Sequence, residues 1–280
     1  MKNILVPTDF SFYAHEALNY AVQLSKWNGA RITLVHVYDF LSYHFHDRLR
    51  TLIVEHNEKT RTELTAKLEA VKGSIFSTEG IEISTLLYNG AVVQGIYDAA
   101  VETQSDLVIM GTLGISGVKD KIMGSKAISF LRKSKVPVLI IPPGYEWIQP
   151  ENIAIAIKHD IEDPEILKPV FDLAEIFSSQ VSLVLFSSDE EEAYDLIIQT
   201  RTGRQLYEKL KKQYGSKIRF SHLPAKNFIK TSEEYIRKEN IDLFVMIMRH
   251  DGWIDYFLGN SMTQKMAARP IRPLLSISGY

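Results

Sequence analysis

Four glycines and a serine crowd one short segment in the middle of the chain: Gly111, Gly114, Gly117, Gly124 and Ser125. Glycine has no Cβ, so its backbone can adopt positive φ and come close to a ligand. The apolar residues that follow, Ala127, Ile128 and Leu131, have helical spacing, so the segment leads into a helix. Unpaired N–H groups at a helix start favour a phosphate. One glycine after a strand usually makes only a tight turn, but this density predicts a phosphate-binding loop.

The glycine segment lies between two short apolar runs, Leu107–Met110 and Val136–Ile141. Both are too short for helices and rich in branched side chains, so they predict buried strands. A third such run, Asn3–Val6, stops at Pro7-Thr8-Asp9. In parallel α/β sheets, ligands bind outside the carboxyl ends of the strands, where the strand order reverses. We therefore expect the Asp9 loop and the Gly111 loop to meet over one crevice.

Strand and helix patterns alternate through the first half of the chain. Ser11 is placed to cap a helix that Gly29 ends, and Arg31–Val37 has the composition of a strand. Asp47–Val71 is charged and predicted to be mostly helical, and Gly80–Tyr88 alternates in the manner of a strand. This alternation predicts an α/β fold with a doubly wound parallel sheet that is covered on both faces.

The same pattern occurs a second time. Asn152–Ile157 repeats Asn3–Thr8 at an offset of 149 residues, and Asp242 repeats Asp106 at an offset of 136. The second copy is therefore shorter, and we expect the missing residues in the long charged segment or in the connection to the third strand. A linker signal separates the copies, at Pro142, Pro143, Gly144 and Pro150. We predict a tandem duplication with two domains, residues 1–145 and 151–280.

The second copy has lost most of the polar loop residues of the first. At equivalent positions the replacements are Ala156 for Pro7, Lys158 for Asp9, Ile247 for Gly111, His250 for Gly114 and Asn260 for Gly124, while Ser261 keeps Ser125. A branched or bulky residue does not hold positive φ cheaply, and its side chain fills the space that a phosphate needs. We therefore expect one ligand per chain, in the first domain.

The spacing Gly111-x2-Gly114-x9-Gly124-Ser125, between DLVIMG and VPVLII, resembles the nucleotide-binding signature of the universal stress protein family, in its ATP-binding branch. The resemblance implies two tandem Rossmann-like domains, each with a five-stranded parallel sheet of order 3-2-1-4-5. It also implies that the two domains pack as an intramolecular pseudo-dimer through their last strands, with further homo-oligomers an option. The expected activity is that of an ATP-binding stress-response regulator.

The resemblance also implies which residues bind the adenine nucleotide, ATP with or without Mg: Pro7, Thr8, Asp9, Val37, Met110, Gly111, Gly114, Gly124, Ser125 and Lys126. In this assignment the Asp9 carboxylate approaches adenine and ribose, and the backbone of Val37 contacts the adenine edge. From the sequence alone, Asp9 has a second interpretation as a cap for the following helix, and Val37 as a core side chain.

Bulk composition excludes several classes of protein. The chain has 32 Lys and Arg against 34 Asp and Glu, a net charge of −2, without the basic patch that nucleic-acid binding needs. It has no cysteine, so disulfides and thiolate chemistry are excluded. Its apolar runs are far shorter than the roughly 20 residues of a membrane span. The N-terminus has no signal-peptide core, so we predict a cytoplasmic protein.

Signatures of turnover are missing from the sequence. There is no GxxxxGK[ST] loop and no Gly-x-Ser-x-Gly elbow. His44, His46 and His56 have no acidic or further histidine neighbours at zinc-like spacing, so no metal site is predicted. Binding is therefore favoured over catalysis. The alternatives are a slow ATPase or nucleotide-dependent phosphotransferase, and a scaffold without a ligand, against which the intact glycines argue.

Overall fold

A computed structural model describes residues 1–39, 50–112, 125–132, 134–157, 161, 163–187, 204, 208, 210–212, 215–249, 266–267 and 270–279. Within these ranges the strands are β1 Asn3–Pro7, β2 Arg31–Tyr38, β3 Ile83–Asn89, β4 Leu107–Gly111, β5 Val138–Ile141, β6 Asn152–Ile157, β7 Gln180–Ser187, β8 Ile218–Pro224, β9 Leu243–Arg249 and β10 Leu274–Gly279. The helices are α1 Phe12–Asn28, α2 Arg50–Glu79, α3 Val92–Glu102, α4 Ser125–Leu131, α5 Lys168–Phe177 and α6 Phe228–Lys238. The α/β class predicted from the sequence is confirmed.

The strands form one sheet of order β3-β2-β1-β4-β5-β10-β9-β6-β7-β8. Each half of the sheet therefore has the expected order 3-2-1-4-5, and pairing within each half is parallel. The two halves meet where β5 and β10 pair antiparallel, with Leu139 opposite Leu275. This junction joins the last strands of the two copies.

Equivalent backbone contacts show that the two halves repeat one structure. Asn3 pairs with Arg31 in the first half and Asn152 with Gln180 in the second, so both partners shift by 149 residues. The carboxylate of Asp106 accepts hydrogen bonds from the N–H groups of Lys2 and Asn3, at 2.6 and 3.0 Å. In the second half, Asp242 accepts from the N–H groups of Glu151 and Asn152, at 3.0 and 2.9 Å.

The second half is shortened between its second and third strands, the region that contains both places that the sequence suggested. β7 lies 149 residues after β2, whereas β8 lies 135 residues after β3. In the first half this connection contains α2, which continues through Gly73 to Glu79, beyond the expected end at Val71. Its end is marked by Gly80, whose φ of 69° is left-handed and whose N–H donates to the carbonyl of Phe76.

Apolar side chains cover both faces of the sheet and continue across the β5–β10 junction. Leu139 and Leu275 belong to the core beneath α1 and α5, and Ile140 and Leu274 belong to the core on the opposite face. All four side chains are at most 1% exposed. Full burial of such a side chain contributes about 1.5–3 kcal/mol. The junction is therefore part of the hydrophobic core.

The segment between β5 and β6 is packed against both halves. The ring of Trp147 lies 4.6 Å from that of Tyr20 in α1 and 5.9 Å from that of Phe177 in α5. Trp27 in α1 also contacts Phe177, at 5.6 Å. Edge-on aromatic pairs of this kind contribute about 0.5–1.5 kcal/mol beyond the area they bury. Among the described helices, none is long and apolar enough to cross a membrane.

Candidate functional site

The order of the strands reverses between β1 and β4, because the chain continues from β1 to β2 on one side and β4 lies on the other. Leu5 of β1 is level with Val108 of β4 in the parallel register. Both strands therefore end at the same edge of the sheet. Such switch points form the crevice in which doubly wound folds bind their ligands. The two loops that the sequence analysis expected to meet leave the sheet at this edge.

The loop after β1 is held by its own side chains. The N–H of Phe10 donates to Thr8 Oγ1 at 2.9 Å, and the N–H of Ser11 donates to Asp9 Oδ1 at 3.0 Å. Ser11 caps α1 by accepting from the N–H of Ala14 at 3.3 Å. Ser11 is thus the helix cap, as the sequence predicted, and Asp9 shapes the turn that precedes it.

This arrangement decides what the loop can offer a ligand. The N–H groups of Phe10 and Ser11 are already bonded, so they are not available to a phosphate. Asp9 is exposed, and its second carboxylate oxygen has no partner within the described part of the chain. The loop after β1 therefore presents an acceptor, which suits a hydroxyl or amine better than a phosphate.

Two residues that the sequence analysis did not single out fix this loop. Phe10 has a left-handed φ of 62°, a conformation that costs a bulky residue about 1–3 kcal/mol. Its ring lies 4.6 Å from that of His36 in β2, and the ammonium of Lys67 in α2 lies 5.7 Å from its centre. His36 Nδ1 lies 2.7 Å from the carbonyl oxygen of Thr8. A carbonyl only accepts, so Nδ1 carries the proton in this contact.

Gly111 ends β4 and lies against the first turn of α1. A Cβ at this position would stand 2.0 Å from the carbonyl oxygen of Tyr13 and 2.5 Å from its carbonyl carbon. Gly111 is not among the residues with positive φ. In the structure, Gly111 is therefore needed for close packing and not for the positive φ that the sequence analysis expected. It lets the backbone of α1 approach β4, and the space above its Cα is filled by helix backbone.

Val37 and Met110 line the opposite face of the sheet edge and are buried. A Cβ on Gly95 of α3 would stand 2.6 Å from Val37 Cγ1, so this glycine allows α3 to pack on β2.

The backbone carbonyls of β2 point alternately to its two neighbouring strands. The carbonyl of Val35 accepts from the N–H of Thr8 on the β1 side, and the carbonyl of Tyr38 accepts from the N–H of Gly90 on the other side. Because strand carbonyls alternate, that of Val37 points toward β1, which has already ended.

Thr112 is a polar residue at this edge that the sequence analysis missed. It is 3% exposed, its N–H donates to the carbonyl of Ile141 at 3.2 Å, and its hydroxyl has no partner among the residues that the structure describes. A buried hydroxyl without a partner is costly, which makes it a candidate donor to a ligand. Its position directly after Gly111 is the signal that could have found it.

The remaining predicted site residues are only partly covered by the structure. Gly114 and Gly124 lie outside the described residues, as does Gly117. Ser125 and Lys126 begin α4, as the sequence predicted for the helix start, but their side chains are not described. Pro7 closes β1, next to Thr8.

The equivalent edge of the second half is built differently. Ile247 takes the place of Gly111, with the same β-pairing, to Ile277 instead of Ile141, and its side chain packs against the core. A short 3-10 helix, Pro164–Leu167, leads into α5, which begins at Lys168, the equivalent of Asn19, seven residues later in the repeat than α1 does. Ala156 is buried at the position of Pro7. Lys158, His250, Asn260 and Ser261 lie outside the described residues.

The described residues contain no group of three or more His, Asp or Glu side chains that could hold a metal ion. His56 lies on α2, and His44 and His46 fall outside the described ranges. At the first switch point the chain offers an exposed carboxylate, an open strand carbonyl and a buried hydroxyl. This set suits a ligand that carries both hydroxyl and amine groups.

Fold and site together define a doubly wound α/β protein with polar groups at the topological switch point of its first half, and the same strand order occurs twice in one chain. The profile of the Universal stress protein family matches residues 1–142. The chain belongs to this family.

Individual relatives agree with the match. A universal stress protein of Thermus aquaticus is 28% identical over 144 residues, which cover 50% of this chain and 98% of the relative. One of Methanocaldococcus jannaschii is 27% identical over 143 residues, which cover 50% of this chain and 81% of the relative. The crystal structure of a universal stress protein from Archaeoglobus fulgidus has a TM-score of 0.72 at 19% identity, covering 99% of this chain and 98% of that one. This last likeness concerns the fold.

Proposed function

We propose that the protein binds one ATP per chain at the switch point of its first half and acts as a nucleotide-dependent regulator of the stress response. The observation that carries the proposal is the contrast between the two copies. The first presents the free carboxylate oxygen of Asp9 at the edge of the sheet where β1 and β4 end, and the hydroxyl of Thr112, without a partner among the described residues, lies at the same edge. The second replaces Asp9 by Lys158 and has the side chain of Ile247 at the strand position of Gly111.

Each group at the crevice binds a different part of the nucleotide. Asp9 accepts from the ribose hydroxyls, and the carbonyl of Val37 accepts from the adenine amine. The hydroxyl of Thr112 donates to a ligand oxygen, because it has no other partner in the described structure. The glycine segment from Gly114 to Gly124, with Ser125 and Lys126 at the start of α4, supplies the contacts to the phosphates and to any Mg that accompanies them.

The two halves act as domains, residues 1–145 and 151–280, that form an intramolecular pseudo-dimer across β5 and β10. The antiparallel pairing and the shared core at this junction support the assignment. A cytoplasmic location and further homo-oligomers stay predictions from the sequence.

A matched pair of variants tests the site. Asp9 and Asp163 both accept from the N–H two residues ahead, at 3.0 and 2.9 Å, one in each half of the chain. Asparagine keeps that acceptor, removes the charge and replaces the second carboxylate oxygen by an amide NH2, which donates instead of accepting. We expect Asp9→Asn to weaken ATP binding about tenfold or more, because a hydrogen bond to a charged group contributes about 1.5–3 kcal/mol. Asp163→Asn should bind as the wild type does.

Calorimetry gives affinity and stoichiometry in one experiment. The proposal predicts one ATP per chain and a higher affinity for ATP than for adenosine. A stoichiometry of two, or full binding by Asp9→Asn, would contradict it. Analysis of the same samples for ADP and phosphate separates a binding protein from a slow ATPase. No heat and no thermal stabilisation with millimolar ATP would favour the scaffold without a ligand.

A further inference from the structure

A second concave site lies on the outer side of α1, between this helix and the segment Gly144–Trp147. The cavity has a volume of about 390 Å³, within the range of about 300–1,000 Å³ that is typical of small-molecule sites. None of the residues proposed above to bind the nucleotide lines it. The cavity is therefore a separate place from the crevice.

Aromatic side chains form much of the wall. The ring centroids of Tyr20 and Trp147 are 4.6 Å apart, and those of Tyr20 and Tyr145 are 6.3 Å apart. Phe12 also lines the cavity and is 66% exposed, which is high for so large an apolar side chain. Tyr20 is buried, at 5% exposed, so the half-buried rings of Tyr145 and Trp147, packed against it, supply the rigid part of the wall.

The polar part of the lining consists of the carboxylates of Glu16 and Glu146 with His15 and Asn19, and there is no Lys or Arg among the lining residues. Glu16 accepts from the N–H of Gly144 at 2.7 Å through Oε1. Burial raises the pKa of this carboxyl, and the Gly144 N–H and the neighbouring His15 offset part of that effect. Glu146 is exposed on the facing segment. The cavity thus carries negative charge next to aromatic rings.

These features favour one class of ligand. Aromatic faces attract organic cations, and the attraction grows when the site is partly desolvated. An anion is repelled by the two carboxylates, and a neutral apolar ligand would strip them of water without compensation. The positive end of the α1 dipole opposes a cation, but this effect falls off within the first turn. Glu16 lies in the second turn, and Glu146 lies outside the helix.

We propose that the cavity between α1 and Gly144–Trp147 binds a small substituted-ammonium ion, held by the carboxylates of Glu16 and Glu146 against the aromatic wall.

Choline and its neutral isostere 3,3-dimethylbutan-1-ol test the proposal, because they share a shape and differ in charge. Calorimetric titration of the full chain should show choline binding about tenfold tighter than the isostere. The same titration in saturating ATP should give the same choline affinity. Displacement of choline by ATP would place the ligand in the crevice and overturn the assignment.

Conservative variants identify the groups responsible. Glu16→Gln combined with Glu146→Gln should lower choline affinity about tenfold, whereas Glu151→Gln, an exposed glutamate outside the lining, should leave it unchanged. Phe12→Leu keeps an apolar side chain and removes the ring, so it should weaken choline binding. Its control is Phe76→Leu, at a phenylalanine of α2 that is 61% exposed.

Each result bears on the proposal. Absence of choline binding, equal binding of the neutral isostere, or wild-type affinity in the double glutamine variant would each overturn it. Because Phe12 and Glu146 are exposed, their single variants keep the test valid even if Glu16→Gln perturbs the contact with Gly144. Circular dichroism and thermal unfolding of every variant verify the fold.

Discussion

At the end of β4, the backbone of Gly111 touches the first turn of α1 so closely that no other residue fits. The atoms that a Cβ would meet are the carbonyl oxygen and carbon of Tyr13, at 2.0 and 2.5 Å. These are backbone atoms, so the helix itself must move to relieve the overlap. The phosphate contacts proposed for this loop therefore fall to the glycines farther along, whereas Gly111 positions the helix.

Substitution of this glycine by alanine should be destabilising. We expect Gly111→Ala to lower the free energy of unfolding by about 1–3 kcal/mol, the usual cost of overpacking, or more. Gly73 in α2 is the control, since its added Cβ meets nothing and the position is exposed. Gly73→Ala should raise the free energy of unfolding by about 0.4–1 kcal/mol. Urea unfolding measures both, and wild-type stability of Gly111→Ala would contradict the packing explanation.

Among individual residues, the sequence predicted those whose role depends on their immediate neighbours in the chain. Asp9 follows a short apolar run, and Ser11 precedes a helical pattern, so both positions were evident. Phe10, His36 and Thr112 were not. The contact between His36 and the carbonyl of Thr8 joins residues 28 apart, and it exists only because β1 and β2 are neighbours in the sheet. The left-handed φ of Phe10 is likewise held by its surroundings, against its own preference.

Helix α1 borders both candidate sites: Tyr13 in its first turn lies against Gly111 at the end of β4, and side chains from Phe12 to Tyr20 line the cavity beside Gly144–Trp147. Both of its ends were predictable. Ser11 caps the N-terminus, and Gly29 ends the helix with a φ of 66° and an N–H bonded to the carbonyl of Ser25. The end of α2 was not predictable, because Gly73 stays helical and the chain turns only at Gly80. Caps are local signals, whereas helix continuation depends on what packs against it.

The contact between α1 and the segment after β5 should depend on pH. Burial raises the pKa of Glu16 above its usual 4.5, so the folded state holds this proton more tightly than the unfolded state does. The favourable contribution of Glu16 is therefore complete below pH 4.5 and is lost as pH rises through the raised pKa.

Glu16→Gln removes this titration and keeps an acceptor for the N–H of Gly144. We expect the stability of the variant relative to wild type to increase as pH rises from about 4 to about 7. Thermal unfolding of the two proteins across this interval measures the difference. A constant difference, or one that shifts toward the wild type, would show that burial does not control this carboxyl. Glu151→Gln, outside the cavity, is the control.

At the scale of the whole molecule, the duplication could be predicted because the sequence patterns of the strands recur at fixed offsets. The pairing of the last strands also appears where it was expected, with Leu139 opposite Leu275. The aromatic contacts that join the two halves could not be predicted from the sequence. Trp27, Trp147 and Phe177 come from three separate elements, and nothing in their spacing indicates that they meet. The segment after β5, which its prolines and glycine mark as a linker, is in fact held between both halves by these rings.

Cutting the chain after this segment tests what the junction contributes. A fragment of residues 1–150 keeps the contacts of Trp147 with Tyr20 and of Glu16 with Gly144, but it loses β10. The backbone groups along one side of β5 then become an open edge, and Leu139 and Ile140 lose their neighbours across the junction. Because β5 and β10 pair antiparallel and occupy equivalent places in the repeat, a second copy of β5 can take the place of β10. We therefore expect the fragment to form a homodimer with two-fold symmetry.

Sedimentation equilibrium over a range of concentrations measures the mass of the fragment. The full chain, whose β5 is already paired, is the control. A folded fragment that stays monomeric at every concentration would show that the first half protects this edge by itself, and that the β5–β10 pairing reflects the covalent link between the copies more than any affinity of one for the other.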